Sequence, residues 1–315
     1  MRQRKENGHT TKTHTENGFH KEENGVKLET TKTVYQLAET PAYWRFWNLT
    51  FVFVGIPWYG LMAYLLFQTD DDARGTMKFF NKGIVPKDQN YGLECGFDSF
   101  YDKIFDIFAI SHGLGWFFVA MAFRSFPYTL LFSVIDELCE VWWRCCYPNF
   151  QECWWDHIIL DIVLTNAIGA YFGTIVIDKL LKRPYSWWQA MQNDKRGRKH
   201  LWTTCVWAKV LSLFCVFGFK WVLHIPSNHW INIVHLCTHG AVFFPVISEG
   251  YGNLIHGTRN WRWSVMMWIC YGIDAAVSIK MGYASPLFVQ WDIWGKILAG
   301  CLALITIPSF TMYFQ

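Results

Sequence analysis

The feature that most constrains this chain is a succession of long apolar stretches separated by short polar joints. A helix needs about 20 largely apolar residues to cross a bilayer. Such spans are helical because every backbone polar group inside lipid must find its partner within the chain. Eight stretches qualify, roughly 46–67, 103–123, 126–146, 155–180, 202–224, 228–248, 262–281 and 292–314. The sequence therefore predicts an all-α integral membrane protein, a polytopic bundle of about eight transmembrane helices.

The charged residues are few and unevenly placed. Only 17% of the 315 residues are charged and 52% are hydrophobic, whereas a soluble domain carries about 25% charged residues. Residues 1–33 hold many of the charges and repeat Glu-Asn-Gly three times. A segment of this kind buries too little apolar surface to offset the entropy of ordering it. We therefore predict a disordered polar cytosolic tail over residues 1–37 and a multi-pass membrane domain over residues 38–315.

The basic residues orient the bundle, because cytosolic loops carry an excess of Lys and Arg. The joint between the fourth and fifth predicted spans is strongly basic. It contains Lys179, Lys182, Arg183, Lys195, Arg196, Arg198 and Lys199. That joint is therefore predicted to be cytosolic, and an even number of crossings puts both termini on the same side. The acidic run that begins at Asp70 then falls on the opposite face of the membrane.

The ten cysteines do not show the paired spacing of a zinc site. In the predicted topology, Cys95 and Cys153 lie on the same face, opposite the cytosol. Most of the cysteines are interpreted as ordinary core residues, but these two can form a disulfide if that face is oxidising.

Several ionisable or amide side chains interrupt the predicted spans, where an unpaired charge costs several kcal/mol. They concentrate in the second, third and fourth spans and in the turn between the last two. They are His112, Asp136, Glu137, Glu140, Asn149, Glu152, Asp156, Asp161 and Asn166. Because intramembrane groups of this kind are functional by default, these residues are the candidates for an active or transport site.

Four of these side chains fall at the same depth. Counting along the helix axis puts His112, Glu137, Glu140 and Asp161 roughly 9 to 14 Å below the non-cytosolic boundary. They can therefore share one cavity, in which the carboxylates cannot all stay ionised unless a cation is bound. Oxygen-rich sites favour hard cations, so we expect Ca²⁺, with Mn²⁺ or Mg²⁺ as substitutes.

The polar residues of the fourth span present a geometric conflict. Asp156, Asp161 and Asn166 repeat every five residues, and on an ideal α-helix they point about 140° apart. Either the helix is irregular here, close to Gly169, or it shares its polar groups among different neighbours.

Some polar residues also have a purely structural interpretation. Asn149 can be a turn residue after Pro148, and Glu152 a solvated loop charge. We interpret Asp136 as a structural residue. Asp274, Glu249 and Lys280, in the later spans or at their ends, are interpreted as isolated structural contacts.

The strings around the candidate residues resemble a known family. Ala109-Ile-Ser-His112, Glu137-Leu-Cys-Glu140, Pro148-Asn-Phe-Gln-Glu-Cys-Trp-Trp-Asp156 and Ile159-Leu-Asp161-Ile-Val-Leu-Thr-Asn166 resemble the signature of base-exchange phosphatidylserine synthases. The likeness is strong over residues 105–172. That range also contains the matching Phe123-Arg124-Ser125, and a weaker likeness extends to Pro41-Ala-Tyr-Trp-Arg45.

The resemblance implies an enzyme of the endoplasmic reticulum membrane that replaces the choline or ethanolamine of a phospholipid with L-serine, with Ca²⁺ and without a nucleotide. It implies catalytic roles for His112, Asp161 and Asn166. The metal ligands it implies are Glu137, Glu140, Glu152, Asp156 and Asp161. Substrate contacts are implied at Asn149, Arg124 and Arg45. The implied partners are phosphatidylcholine or phosphatidylethanolamine and L-serine. No nucleic acid is expected, and a homodimer is a further expectation.

Two other functions would also use acidic residues inside membrane helices. Intramembrane carboxylates also suit a cation transporter, but the chain lacks a second copy of the carboxylate pattern, which transporters built from repeats would show. A CDP-alcohol phosphotransferase would also use metal-bound Asp residues, but its Asp-Gly-x-x-Ala-Arg run is absent.

Overall fold

The computed structural model describes residues 41–80, 95–104, 107–143, 152–181, 184–193, 195–226, 229–257 and 259–282. All of them belong to one compact unit, Glu39–Gln315. Within these ranges every regular element is a helix, so the predicted all-α class is confirmed. The N-terminal tail, the eighth predicted span and Asn149 lie outside the described residues.

The helices follow the apolar stretches of the sequence. In chain order they are α1 (Pro41–Leu66), α2 (Asp70–Phe80), α3 (Phe100–Ile104), α4 (Ile107–Phe123), α5 (Phe126–Trp143), α6 (Asp156–Leu181), α7 (Trp187–Asn193), α8 (Lys195–Val222), α9 (Trp230–His256) and α10 (Arg262–Gly282). Two of the long helices are not uniform. α1 contains a π-helical turn at Phe51–Gly55, and α6 is π-helical at both of its ends.

Five of these helices, α1, α6, α8, α9 and α10, are long and apolar enough to cross a membrane. The apolar part of α4 is shorter, Ala109–Phe123, and α5 has 18 residues that include three carboxylates. The chain is therefore a multi-pass membrane protein. The count of eight spans stays a prediction, because α4 and α5 do not qualify by length and composition and the last predicted span lies outside the described residues.

The helices pack in two neighbourhoods. α4 packs along α6 and α5, whereas α8 packs along α10 and α9, and α1 lies against α9 and α10. α5 also contacts α8 and so joins the two groups. The first neighbourhood carries the polar residues that the sequence singled out.

Three polar residues of the second neighbourhood were expected to be structural. Glu249 accepts hydrogen bonds from the backbone nitrogens of Trp263 and Ser264 at 3.0 and 3.2 Å, at the start of α10. The Lys280 Nζ donates hydrogen bonds to the carbonyl oxygens of Leu66, the last residue of α1, and of Gln68, two residues further on, at 2.6 Å each. Both residues cap helix ends, so the expectation is confirmed for them. Asp274 is different, because it contacts two histidines, and the expectation of an isolated contact is wrong there.

Cys95 and Cys153 form a disulfide, with their Cα atoms 5.4 Å apart. The Trp155 Nε1 donates a 3.1 Å hydrogen bond to the Cys95 carbonyl beside it. The disulfide alternative for these two cysteines is therefore confirmed. It ties the segment that leads into α3 to the start of α6, the helix that carries Asp156, Asp161 and Asn166.

Candidate active site

The N-terminal part of α6, Asp156–Asn166, is a π-helix. A π-helix forms i→i+5 hydrogen bonds, so residues five apart lie on nearly the same face. Asp156, Asp161 and Asn166 are all buried, in agreement with that geometry. The five-residue spacing of these polar residues was expected to mean either an irregular helix or polar groups shared among different neighbours. The structure shows the irregular helix. π-helical turns are frequent at functional sites because they re-aim side chains that a regular helix would scatter.

Glycines let α6 approach α4 at backbone distance. A Cβ atom added to Gly169 would lie 2.1 Å from the Gly113 carbonyl oxygen, and one added to Gly173 would lie 2.4 Å from the Phe117 carbonyl oxygen. This is the small-residue packing by which membrane helices come close together. The approach brings the His112 Nδ1 of α4 to 3.5 Å from an Asp161 carboxylate oxygen of α6.

Glu137 of α5 is held between two side chains of α6. Its Oε1 accepts a 3.1 Å hydrogen bond from the Asn166 Nδ2, and its Oε2 lies 3.0 Å from the His157 Nδ1. Asn166 also donates to the Ser133 Oγ at 3.0 Å. Because both carboxylate oxygens have partners on α6, these contacts restrict the Glu137 side chain to one position.

Six side chains of these three helices and the adjoining turn form one cluster, the carboxylate site. Three overlapping groups in it each have potential ligand atoms within 4.8 Å of one another. The groups share members and together comprise His112, Glu137, Glu140, Glu152, His157 and Asp161. Four carboxylates and two imidazoles therefore converge, and they include the four side chains for which the sequence predicted a common depth.

The carboxylate site is buried on one side and accessible on the other. Glu137 and Glu140 are 3% exposed and Asp161 is 5% exposed, whereas the His112 and Glu152 side chains are 28% and 21% exposed. Burial raises the pKa of the Glu152 carboxyl, which lies in the turn before α6, to about 7. The partial exposure of His112 and Glu152 leaves the site open on that side.

Two acidic residues near the carboxylate site have lysine partners instead. Asp156 binds the Lys103 Nζ at 2.6 Å, and this ammonium group lies 4.9 Å from the centroid of the Trp155 ring. Asp156 belongs to none of the groups that converge on the site. Asp136 binds the Lys209 Nζ of α8 at 2.9 Å, which agrees with the structural role expected for it.

Two of the residues expected to contact substrate, Arg124 and Arg45, do not join the carboxylate site. Arg124 is buried, with its guanidinium carbon 4.3 Å from the Tyr185 ring centroid. It lies beyond the far end of α4, roughly 18 Å along the helix from His112. Arg45 is exposed on α1, and Asn149 lies outside the described residues. Asn166 is near the site, where it positions Glu137.

His157 was missed in the sequence. Its signal was available, because it follows Asp156 directly inside a predicted span and meets the same burial-cost criterion as its neighbours. Its contact with Glu137 could not be inferred, because it depends on the π-helical register of α6.

The donor set of the carboxylate site could hold a metal ion. Four carboxylates supply hard oxygen ligands, and within the described residues the His112 Nδ1 and the His157 Nε2 are buried nitrogens without a hydrogen-bond partner. A set in which oxygen outnumbers nitrogen suits Ca²⁺, Mg²⁺ or Mn²⁺ better than zinc.

Known proteins resemble the chain across this region. The family model described as phosphatidyl serine synthase matches residues 40–209. The CDP-diacylglycerol–serine O-phosphatidyltransferase 1 of Arabidopsis thaliana is 27% identical over 293 residues, which cover 78% of this chain and 68% of that protein. The phosphatidylserine synthase 2 of Danio rerio is 33% identical over 159 residues, 47% of this chain and 34% of its own length. The human phosphatidylserine synthase 2 is 27% identical over 235 residues, 62% of this chain and 47% of its own length.

The matches therefore span about two thirds of the plant relative and between a third and a half of the animal ones. The matched range includes α1, α4, α5 and α6, and with them every described residue of the carboxylate site. The resemblance found in the sequence motifs is confirmed. The family model matches more than half of the residues of this chain, and the chain therefore belongs to the phosphatidyl serine synthase family.

Proposed function

We propose that this chain makes phosphatidylserine by calcium-dependent base exchange, in which L-serine replaces the choline or ethanolamine of a phospholipid. The observation that carries the proposal is the carboxylate site, where a partly exposed histidine meets four carboxylates inside a membrane helix bundle. The names of the relatives support the product, because each denotes a phosphatidylserine synthase or a serine phosphatidyltransferase.

In this proposal His112 takes the proton of the serine hydroxyl as that oxygen attacks the phospholipid phosphorus. Histidine suits the role because its ordinary pKa lies near the working pH. The Asp161 carboxylate, 3.5 Å from the His112 Nδ1, would stabilise the positive charge of the imidazolium that forms when Nε2 takes the proton, as the aspartate of a catalytic triad does.

His112 then returns the proton to the oxygen of the departing choline or ethanolamine. One phosphate ester bond forms and one breaks, so the exchange needs no nucleotide. A base that becomes an acid within one cycle requires a ring that stays in place, and the close packing of α4 on α6 supports this requirement.

Glu137, Glu140, Glu152 and Asp161 are the residues that would hold Ca²⁺. The bound ion would neutralise the phosphoryl oxygens and position the diester. Asn166 and His157 keep Glu137 in place, and so they support the ligand set without joining the reaction. Mn²⁺ or Mg²⁺ would be weaker substitutes, because the set offers many oxygens of adjustable spacing.

A second candidate differs in the donor lipid. The name of the Arabidopsis relative specifies CDP-diacylglycerol, which would make cytidine monophosphate the leaving group. The absence of an Asp-Gly-x-x-Ala-Arg run in this chain favours the phospholipid donor.

The proposed setting is the endoplasmic reticulum membrane, with both termini cytosolic and the carboxylate site in the lumenal half. The disulfide between Cys95 and Cys153 supports this orientation, because disulfides persist on the oxidising side of that membrane. The basic joint between α6 and α8 supports the same orientation, because cytosolic loops are enriched in Lys and Arg. A homodimer stays a prediction.

The deciding experiment gives labelled L-serine to the purified full chain in vesicles. Each vesicle contains phosphatidylcholine, phosphatidylethanolamine or CDP-diacylglycerol as the sole donor, with Ca²⁺ or with a chelator. We expect labelled phosphatidylserine with one or both phospholipids, only when Ca²⁺ is present, with release of the matching free base.

A matched pair of variants tests the site itself. Asp161→Asn removes a carboxylate of the site, whereas Asp178→Asn makes the same change at an exposed position of the same helix. We expect Asp161→Asn to lose the activity and Asp178→Asn to keep it. Labelled product from CDP-diacylglycerol alone, without Ca²⁺, would replace base exchange by the second candidate, and no product from any donor would refute both.

A further inference from the structure

A second polar cluster lies in the other helix neighbourhood, between α9 and α10. His235 and His239 are four residues apart and therefore share one face of α9. The Oδ2 atom of Asp274, on α10, lies 2.8 Å from the His235 Nε2 and 3.0 Å from the His239 Nε2. Two imidazole nitrogens and one carboxylate thus converge from two helices, and we name these three residues the histidine site.

The histidine site is closed to solvent. His235, His239 and Asp274 are 1%, 4% and 3% exposed. Trp58 of α1 stacks on the His235 ring with 4.7 Å between centroids, and Tyr271 stacks on the His239 ring at 4.4 Å. A substrate has no approach to these groups, so a role in chemistry on a lipid does not fit.

The site also has the outer support that metal ligands usually show. The His239 Nδ1 lies 2.8 Å from the Ser212 Oγ, and a hydrogen bond to the second ring nitrogen orients a metal-binding histidine. The Asp274 Oδ1 is buried and has no hydrogen-bond partner in the described structure. This oxygen is available as a fourth donor beside the two Nε2 atoms and Oδ2.

The charge of the cluster points the same way. Within the described residues, the ion-pair partners of Asp274 are His235 and His239. If both imidazoles are neutral, a carboxylate remains buried in the membrane interior without a counter-charge, which is strongly unfavourable. A proton on one of the three side chains or a bound cation must balance it.

We propose that the histidine site binds Zn²⁺ and so ties α9 to α10. Two histidines four apart on a helix, with a carboxylate from a neighbouring element, form a recurrent zinc ligand set. Ligand atoms around tetrahedral zinc lie about 3.3 Å apart, so the observed 2.8 and 3.0 Å require shifts of only a few tenths of an ångström. Because the site is enclosed, its zinc is structural.

This zinc site is distinct from the carboxylate site in chemistry and position. It uses two nitrogens for one carboxylate, whereas the carboxylate site is rich in hard oxygens, and none of its residues belongs to the other cluster. The proposal therefore does not depend on which lipid the protein acts on.

The test uses the purified full chain in detergent, stripped with a chelator and supplied with excess Ca²⁺ to occupy the oxygen-rich site. Co²⁺ is then titrated as a spectroscopic stand-in for Zn²⁺. We expect the visible absorption of tetrahedral Co²⁺ at one equivalent, with loss of the band when Zn²⁺ is added.

Three variants make the assignment specific. His239→Ala and Asp274→Asn should each bind one equivalent less than the wild type and lack the absorption band. His256→Ala, a histidine at the opposite end of α9, should keep both. Metal bound by the histidines of the N-terminal tail is the same in all four proteins and cancels in the comparison.

A thermal measurement covers the case in which His239→Ala fails to fold. Zn²⁺ should raise the unfolding midpoint of the stripped wild type and leave that of Asp274→Asn unchanged, because a ligand stabilises only the state that binds it. If the wild type shows neither a tetrahedral Co²⁺ band nor a zinc-dependent midpoint, the cluster binds a proton only and the proposal is overturned.

Discussion

The two polar clusters of this membrane bundle satisfy the same burial-cost criterion and differ in almost everything else. The carboxylate site is built on the π-helical start of α6 and leaves the His112 side chain 28% exposed. The histidine site is built on regular α-helical turns of α9 and α10 and is closed by aromatic rings. An ionisable residue inside a span can therefore belong to a catalytic site or to a structural one. The exposure of the residue and the donor atoms around it tell the two kinds of site apart.

The difference has a physical origin. A reacting group must be reached by substrate and must exchange protons, so it has to stay partly hydrated. A structural ion or ion pair is strongest where water is excluded and its partners are rigid. Four mutations test the distinction, because each should affect mainly activity or mainly stability.

The largest expected effect is on catalysis. His112→Ala should lower the rate of serine incorporation by about 10²- to 10⁴-fold, the usual contribution of a general base. The unfolding midpoint should change little, because the side chain is partly exposed. His256→Ala, assayed per folded molecule, is the matched control and should stay active. Near wild-type incorporation by His112→Ala would remove it from the mechanism.

The next effect is on stability. Asp274→Ala leaves two buried imidazoles without their shared acceptor and should lower the free energy of unfolding by about 3–5 kcal/mol. Thermal or denaturant unfolding in detergent measures this change. Asp178→Ala, at an exposed position of α6, should have almost no effect on stability. Equal stability of the two variants would contradict the structural role of the histidine site.

A glycine substitution tests the packing that assembles the carboxylate site. Gly169→Ala puts a methyl group against the Gly113 carbonyl and should cost about 1–3 kcal/mol, as overpacking does. It should also lower activity, since α4 and α6 must separate and take His112 away from Asp161. Gly115→Ala is the control, because nothing lies within 4 Å of the added Cβ. If both variants behave alike, the close approach of α4 and α6 does not assemble the site.

The smallest effect concerns the support of the histidine site. Ser212→Ala removes the hydroxyl beside the His239 Nδ1 and should cost about 0.5–1.5 kcal/mol, as for a single neutral hydrogen bond. The zinc-dependent rise of the unfolding midpoint should shrink but persist. A complete loss of that rise would mean that Ser212 is a ligand rather than an orienting partner.

Much of the carboxylate site was predictable because depth in a membrane follows directly from residue count. His112, Glu137, Glu140 and Asp161 were expected at one level and do converge. Counting could not show that Asp156, which lies nearer the membrane boundary on the same helix, binds Lys103 instead. That choice depends on α3 reaching the start of α6, which no local pattern encodes.

The histidine site was not found in the sequence at all. His235 and His239 have the four-residue spacing of a helix face, but Asp274 follows them by more than thirty residues on another helix. Its partners could be known only from the way α9 and α10 pack. Asp274 was consequently interpreted as an isolated contact.

Hydropathy was sufficient for the all-α membrane class of this protein, and the motif strings were sufficient for the family it resembles, because apolar stretches and short motifs are properties of contiguous segments of the chain. The π-helical register of α6, the backbone contact of α4 with α6 and the pairing of α9 with α10 depended on packing between distant segments. Those contacts arise only when whole helices bury their faces together, so the partners of each polar side chain are a property of the folded bundle.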